Sequence, residues 1–360
     1  MDTESFAKHL LTMADSYRTS DIHILPEQRH YYVYFRLNGQ MEKQYYLDRD
    51  EGTRLISYFK FLSNMDVGER RRPQSGSTVF ALEEKSIDCR FSTISNYQSQ
   101  ESLVIRMLKQ KKESGQAMPA FFSQEWNVLK ALADAKSGLL LFSGPVDSGK
   151  TTTMYHLVKN RLKGERQQVV TIEDPVEIEE VSFLQTQVNE SAGLTYEGLL
   201  KSTLRHHPDV VIVGEIRDEE TARMVIRGAL TGHLLIASIH SKNAAGVISR
   251  MMELGVSLPL LQQTLIGIAF QNLLPLYCPL CDSNCRTFCT HNERDRKRAA
   301  LYEVKSGDSL HTLLYNADNH HVSKKQPDYE RREFNYLLRK VYACGYITKE
   351  TYRRYIIPNE

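Results

Sequence analysis

The chain has 360 residues, of which 41% are hydrophobic and 25% charged, and a formal net charge of +2 at pH 7. That length accommodates two or three domains with cores of their own, and a charge so near neutral gives no ground for nucleic acid or an anionic membrane as partner. No apolar run approaches the roughly 20 residues that span a bilayer, and the start, Met1-Asp2-Thr3-Glu4-Ser5-Phe6-Ala7-Lys8, lacks the basic-then-apolar order of a signal peptide, so the expected location is the cytosol.

Apolar residues at Phe6, Leu10, Leu11, Met13, Ala14 and Tyr17 have helical spacing, after which Ser20-Asp21-Ile22-His23-Ile24-Leu25-Pro26 changes to the alternation of a strand. A second alternating run, 31–37, ends at Asn38-Gly39, a strong hairpin signal. A helix is predicted over 49–65, with Leu55, Ile56, Phe59 and Leu62 on one face, followed by strands over 77–82, 86–94 and 101–108. Residues 1–108 therefore read as a small α/β domain. The polar stretch from Lys109 to Gln116 is a linker, extending to about residue 122; its three lysines suit a solvated hinge better than a nucleic-acid contact.

Beyond the linker, strands and helices alternate. A helix over 124–135, a strand over 139–142, strands over 169–172, 210–213 and 234–239, and helices over 196–205 and 219–229 predict a mostly parallel sheet covered by helices. After the first of these strands stands Gly144-Pro145-Val146-Asp147-Ser148-Gly149-Lys150-Thr151, a G-x-x-x-x-G-K-T pattern, with Thr152 continuing into a helix. Glycines in this order let backbone N–H groups close on phosphates, Lys150 reaches the β- and γ-phosphates, and the Thr151 hydroxyl ligates Mg²⁺; a chance match is the alternative. Asp147 puts a carboxylate where phosphates come close, so its side chain is expected to turn outward.

In such sheets the ligand lies at the carboxyl ends of the strands. There the sequence places Glu173-Asp174, Glu215-Ile216-Arg217-Asp218 and His240. Each has an ordinary structural reading: a capping pair for the first, a local ion pair for Arg217 and Asp218, a hydrogen-bonded histidine for His233 and His240. Their convergence on the edge that carries Lys150 and Thr151 favours a nucleotide site, with Asp174 and Arg217 among its binding groups.

Four of the six cysteines crowd into Cys278-x₂-Cys281-x₃-Cys285-x₃-Cys289. In a cytosolic chain that spacing suggests a closed tetrahedral Zn²⁺ site before disulfides, with His291 an exposed neighbour or a substitute ligand. The basic run Arg294-Asp295-Arg296-Lys297-Arg298 follows, which by itself leaves nucleic acid open as a partner, and helical spacing at Phe334, Leu337, Leu338, Val341 and Tyr342 predicts a helical cap.

The boxes Gly144 to Thr152, Thr171-Ile172-Glu173-Asp174-Pro175-Val176-Glu177, Leu204 to Asp218 and Thr231 to His240 resemble the Walker A, Asp, Walker B and His boxes of the secretion ATPase superfamily. Ser20 to Pro26, Phe35-Arg36-Leu37-Asn38-Gly39 and Asp66 to Gly76 are similar to motifs of type II secretion and type IV pilus assembly ATPases. The compact cysteine cluster looks most like the Gram-positive competence (DNA-uptake) traffic ATPases. The resemblance implies an α/β fold with a RecA-like P-loop ATPase core at 123–275. Before it come a smaller, PAS-like α/β domain at 1–108 and the linker 109–122; after it come a zinc-knuckle segment at 276–305 and a helical cap at 306–360.

The resemblance further implies ATP hydrolysis with Mg²⁺ by a homo-hexameric ring at the cytoplasmic face of the membrane, working on a polytopic inner-membrane platform protein and through it on pilin-like subunits, with no direct DNA contact. Glu215 would orient the attacking water, Glu173 and Asp174 would support metal and water, and His240 would contact the γ-phosphate. Arg90 and Arg106 match family arginines that reach the nucleotide from the N-terminal domain; by themselves they read as exposed strand arginines. Asp147 stands for a usual glycine, Val146 for a usual threonine and Asn272 for a common arginine. The rival implications are a retraction motor and a regulatory nucleotide-binding module, the latter kept alive by Asp147.

Overall fold

Two compact units divide the chain, Met1–Lys112 and Glu113–Glu360. The computed structural model describes residues 2–17, 19–37, 40–82, 85–108, 119–164, 167–189, 192–284, 297–319 and 333–358. The linker stretch 109–118 lies outside the described residues, as do Cys285, Cys289, His291 and the first part of the basic run.

In the first unit, α1 (Thr3–Ser16) is followed by β1 (Asp21–Glu27), β2 (His30–Leu37), β3 (Gln40–Asp48), α2 (Arg49–Leu62), β4 (Gln74–Leu82), β5 (Lys85–Ser95) and β6 (Glu101–Leu108). The strands form one antiparallel sheet in the order β3-β2-β1-β6-β5-β4. Strict alternation in β2 buries Tyr31, Val33, Phe35 and Leu37 on one face, where Leu10 and Leu11 of α1 and Ile56 and Phe59 of α2 close the core. Both helices start on side-chain caps: Asp2 accepts from the Ser5 N–H, and Asp48 and Glu51 form a capping box. The buried Lys60 ammonium is satisfied by Glu101, at 2.6 Å, and by the Glu69 carbonyl, also at 2.6 Å. Burying that charge is tolerable only because both partners are present.

The second unit is built on a seven-stranded sheet. Its elements are α3 (Ser123–Ala133), β7 (Gly138–Ser143), α4 (Lys150–Arg161), β8 (Val169–Glu173), β9 (Leu184–Gln187), α5 (Tyr196–Thr203), β10 (Val210–Val213), α6 (Glu219–Leu230), β11 (Leu234–Ile239), α7 (Ala244–Glu253), α8 (Leu258–Thr264), β12 (Leu265–Pro275), the short hairpin β13 (Tyr277–Cys278) and β14 (Ser283–Asn284), β15 (Arg298–Ser306) and α9 (Asp308–Asn319). Two helices, Phe334–Ala343 and Lys349–Tyr355, follow. The strand order is β15-β12-β7-β11-β10-β8-β9, parallel throughout except for the β12–β15 pair.

Helices cover both faces, so the central strands are apolar without alternation. Within β7, Leu139 and Leu141 join the core beneath α6, α7, α8 and the C-terminal helices, while Leu140 and Phe142 join the core beneath α3 and α4. β10 and β11 divide in the same way, Val211 and Leu235 to one side, Val210 and Leu234 to the other. The predicted helical cap is present as Phe334–Ala343, with Phe334, Leu337, Leu338 and Val341 buried in the first of these cores.

The sequence pattern does not predict β12 and β15. β12 lies directly beside β7, and β15 pairs with β12 along its whole length, from Pro275↔Arg298 to Gly267↔Ser306. Segment 119–121 is tied to the same edge, the Ala300 N–H donating to Pro119 O and the Phe121 N–H to Ala300 O. Cys278 is buried in the β13–β14 hairpin, and the Cys281 N–H donates to Cys278 O at 3.1 Å. Among the described residues no group of three or more His, Cys, Asp or Glu side chains stands together as a metal site, and no helix is long and apolar enough to cross a membrane.

Candidate active site

The parallel strands deliver their carboxyl ends to one edge, and the loop after the central β7 is built on three residues of positive φ: Gly144 at 144°, Asp147 at 61° and Gly149 at 83°. At Gly144 a side chain is sterically impossible, because a Cβ would lie 2.2 Å from the Gln271 carbonyl oxygen of neighbouring β12. Gly149 is the left-handed N-cap of α4 and leaves the first N–H groups of that helix facing the loop. Pro145, Val146 and Asp147 are exposed, Ser148 is buried, and Lys150, Thr151 and Thr152 are half-buried.

Lys150 Nζ donates to the carbonyls of Gly144 at 2.9 Å and Pro145 at 3.0 Å, so the loop is wrapped around its own lysine. Burial lowers the pKa of this ammonium, while Glu215 and Glu177 oppose that shift. The Gln271 side-chain amide donates to the Ser148 carbonyl at 2.7 Å, fixing the loop to β12. Among the described residues, the buried Ser148 Oγ and Gln271 Oε1 have no hydrogen-bond partner. A cationic lysine resting on loop carbonyls, an orphaned hydroxyl and a helix N-terminus fit the phosphates of a nucleotide, and Thr151 at the first turn of α4 fits the Mg²⁺ that accompanies them.

Across the adjoining strand ends runs a chain of charged contacts. His240, just past β11, lies with Nε2 3.1 Å from Glu215 Oε1; Glu215 Oε2 accepts from Arg217 Nε at 2.7 Å; and Arg217 NH1 donates to Asp174 Oδ2 at 3.2 Å. The strand register sets this spacing: β11, β10 and β8 are adjacent, so residues just past each strand end fall beside one another. Ser238 Oγ donates to the Gly214 carbonyl at 2.5 Å, and the Gly214 N–H donates to Ile172 O at 2.8 Å, which locks the backbone entering Glu215.

Glu173 has a different environment. It is buried at the end of β8, with Oε1 accepting from Tyr155 Oη at 2.5 Å and Thr171 Oγ1 at 2.7 Å; Gln185 in turn donates to Tyr155 Oη at 2.7 Å. Burial raises the Glu173 pKa, and the two hydroxyl donors pull it partly back. Burial and the facing carboxylate push the Tyr155 phenol up as well.

The structure thus gathers Lys150, Thr151, Asp174, Glu173, Glu215, Arg217 and His240 on one edge. Arg90 and Arg106 belong to the first unit, where they are cross-strand partners in β5 and β6, and Arg106 Nε is 2.9 Å from Asp21 Oδ1. Tyr155, Thr171, Gln185 and Gln271 join the site without having been singled out in the sequence. Only the polar pair Gln271-Asn272 inside an apolar run gave a signal, since a buried polar side chain in a central strand needs a partner.

The chain matches the family described as "Type II/IV secretion system protein" over residues 2–353. It is 40% identical over 353 residues to Competence protein ComGA of Bacillus subtilis (strain 168), covering 98% of each chain. It is 42% identical over 271 residues to Competence protein ComGA of Streptococcus pneumoniae (strain ATCC BAA-255 / R6), covering 75% of this chain and 84% of the relative. Among solved structures, that of the pilus retraction motor PilT with bound ADP superimposes with a TM-score of 0.68 at 22% identity, over 98% of this chain and 97% of that one. The Legionella pneumophila ATPase DotB gives 0.68 at 18% identity, over 97% and 95%. The chain therefore belongs to the Type II/IV secretion system protein family, and it is an ATPase.

The buried Glu173 makes stability depend on pH in a defined sense. With its folded pKa above the ordinary 4.5, the folded state holds the proton longer than the unfolded chain. The cost of burying the carboxylate is thus absent below 4.5 and grows as pH rises through the raised folded value. Urea denaturation across this range should show Glu173→Gln gaining on the wild type as pH increases; a difference that shrinks as pH rises would contradict this environment for Glu173.

Proposed function

We propose that this chain is a cytoplasmic motor, working as a homo-hexamer at the inner face of the membrane, that hydrolyses ATP to assemble a pilus-like fibre used for DNA uptake. The observation that carries this reading is the 40% identity to a competence protein over 98% of both chains, combined with the phosphate loop and the His240–Glu215–Arg217–Asp174 chain at one sheet edge. Phosphoryl transfer demands positioning and charge neutralisation more than covalent chemistry, which is what an edge of fixed charges supplies.

Lys150 and the N–H groups of Gly144 and residues 146–152 would hold the β- and γ-phosphates, and Thr151 would hold the Mg²⁺. Bound Mg²⁺ supplies neutralisation of the phosphate charge. Glu215, held on one oxygen by Arg217 and on the other by His240, orients the attacking water. Glu173 and Asp174 support the water and the metal, and His240 meets the γ-phosphate. Arg90 and Arg106 match family arginines that act on the nucleotide, and an arginine in that role contributes about 10³ to 10⁵ in rate. Force passes to a polytopic platform protein and thence to pilin-like subunits. A regulatory module that binds without turnover is disfavoured because Glu215, the acid assigned here to the water, is held on both oxygens by His240 and Arg217.

The test is steady-state hydrolysis by Glu215→Gln, together with transformation of a Bacillus subtilis strain that lacks its Competence protein ComGA. The variant should bind nucleotide but lose about 10² to 10⁴ in kcat, and it should fail to restore transformation where the wild-type chain restores it. A variant that hydrolyses normally overturns the assignment of Glu215. Restoration by the inactive variant overturns the motor.

We also propose a structural Zn²⁺ held by Cys278, Cys281, Cys285 and Cys289. Support comes from the buried Cys278 and the tight turn that brings the Cys281 N–H to its carbonyl, which is how paired cysteines converge on one ion. Elemental analysis of the purified chain should find one equivalent of zinc, lost in Cys278→Ser together with thermal stability. Zinc-free protein of undiminished stability would contradict the site.

A further inference from the structure

The phosphate loop carries one acid, Asp147, and Arg298 NH1 lies 3.0 Å from its Oδ2. The two residues are 151 positions apart in sequence and sit on different kinds of element. Asp147 is in the exposed bend of the loop, in left-handed backbone, with 57% of its side chain accessible. Arg298 is the first residue of β15, paired with Pro275 of β12, and only 28% of its side chain is accessible. The arginine is therefore carried by the edge strand one beyond β12, the strand beside the loop, and the aspartate meets it there.

A bare carboxylate beside the site of a polyphosphate repels it. Lys150, the nearest loop cation in sequence, donates to the Gly144 and Pro145 carbonyls and not to Asp147, so it does not answer that charge. We propose that Arg298 is a positioning residue for nucleotide binding: it holds the Asp147 carboxylate outside the phosphate cradle and neutralises it, so that a loop with an acid at this position still accepts ATP. An ion pair this exposed adds little to folding stability, so its effect falls on affinity. The inference rests on the ATPase reading and adds a residue from the far end of the unit to the binding site.

The test is a double-mutant cycle in the full chain with wild type, Arg298→Ala, Asp147→Gly and the double variant, reading KM and kcat for Mg·ATP and, independently of turnover, the Kd of a fluorescent ADP analogue. Arg298→Ala should raise KM and Kd about tenfold, equivalent to about 1.4 kcal/mol, with a smaller change in kcat. In the Asp147→Gly background the same substitution should change Kd by no more than about twofold, which makes the two substitutions strongly non-additive. Arg298→Lys should recover part of the loss. An equal loss in both backgrounds would overturn the proposal, since Arg298 would then contact phosphate directly or only support the fold; so would no loss in Arg298→Ala. Arg298→Gln provides the same readout if the alanine variant melts early. Failure of the ATPase reading is distinct: the wild type would bind the ADP analogue without turning over ATP.

Discussion

The constraint on which this molecule depends is the double burial of β7. Its residues are inaccessible on both faces, held between β12 and β11 and covered by helices on either side. A strand so confined can leave the sheet only at its carboxyl end, and it does so directly into Gly144. The approach of Gly144 to the Gln271 carbonyl, the left-handed Gly149 and the start of α4 all follow from having to turn within a few residues from a buried strand into a helix packed back on the same sheet. That turn leaves N–H groups at the start of α4 without intrahelical partners, which is the arrangement that suits a phosphate.

The same sheet organises the charges. β11, β10 and β8 end side by side; β11 and β8 contribute the residue just beyond their ends, His240 and Asp174, and the loop after β10 contributes Glu215 and Arg217, to one line of contacts. Arg217 bridges the Glu215 and Asp174 carboxylates and His240 meets the other oxygen of Glu215, so each side chain is held against its neighbours. That is the economical way to stabilise a charged transition state, because little reorganisation remains to be done during reaction. Glu173 stands apart: deeper, enclosed by hydroxyl donors, and of raised pKa.

Much of this was legible from the sequence because the signals were local. The apolar runs at 139–142, 210–213 and 234–239 could only be buried strands, and the residues after each run were therefore neighbours in space before any coordinates were known. The alternation of Tyr31 to Leu37 likewise fixed which face of the first sheet was core. What stayed hidden depends on long-range pairing. β12 is interrupted by Gly267 and by Gln271-Asn272, and its polar pair becomes intelligible only when Gln271 is seen donating to the loop carbonyl of Ser148. Tyr155 reads as an ordinary aromatic residue of α4, yet it supplies a hydrogen bond to Glu173. Arg298 sits in a run of basic residues, and its meeting with Asp147 exists only because β15 adds to the sheet edge beyond β12.

The central claim is that this edge hydrolyses ATP through the loop after β7. The most direct measurement is magnesium-dependent phosphate release by the purified wild-type chain, at defined oligomeric state, beside Lys150→Ala. Turnover in the wild type that disappears in Lys150→Ala is the predicted result, since Lys150 is the one Lys or Arg in the loop 144–152. Turnover that persists without Lys150, or nucleotide bound tightly by the wild type and never hydrolysed, would contradict it.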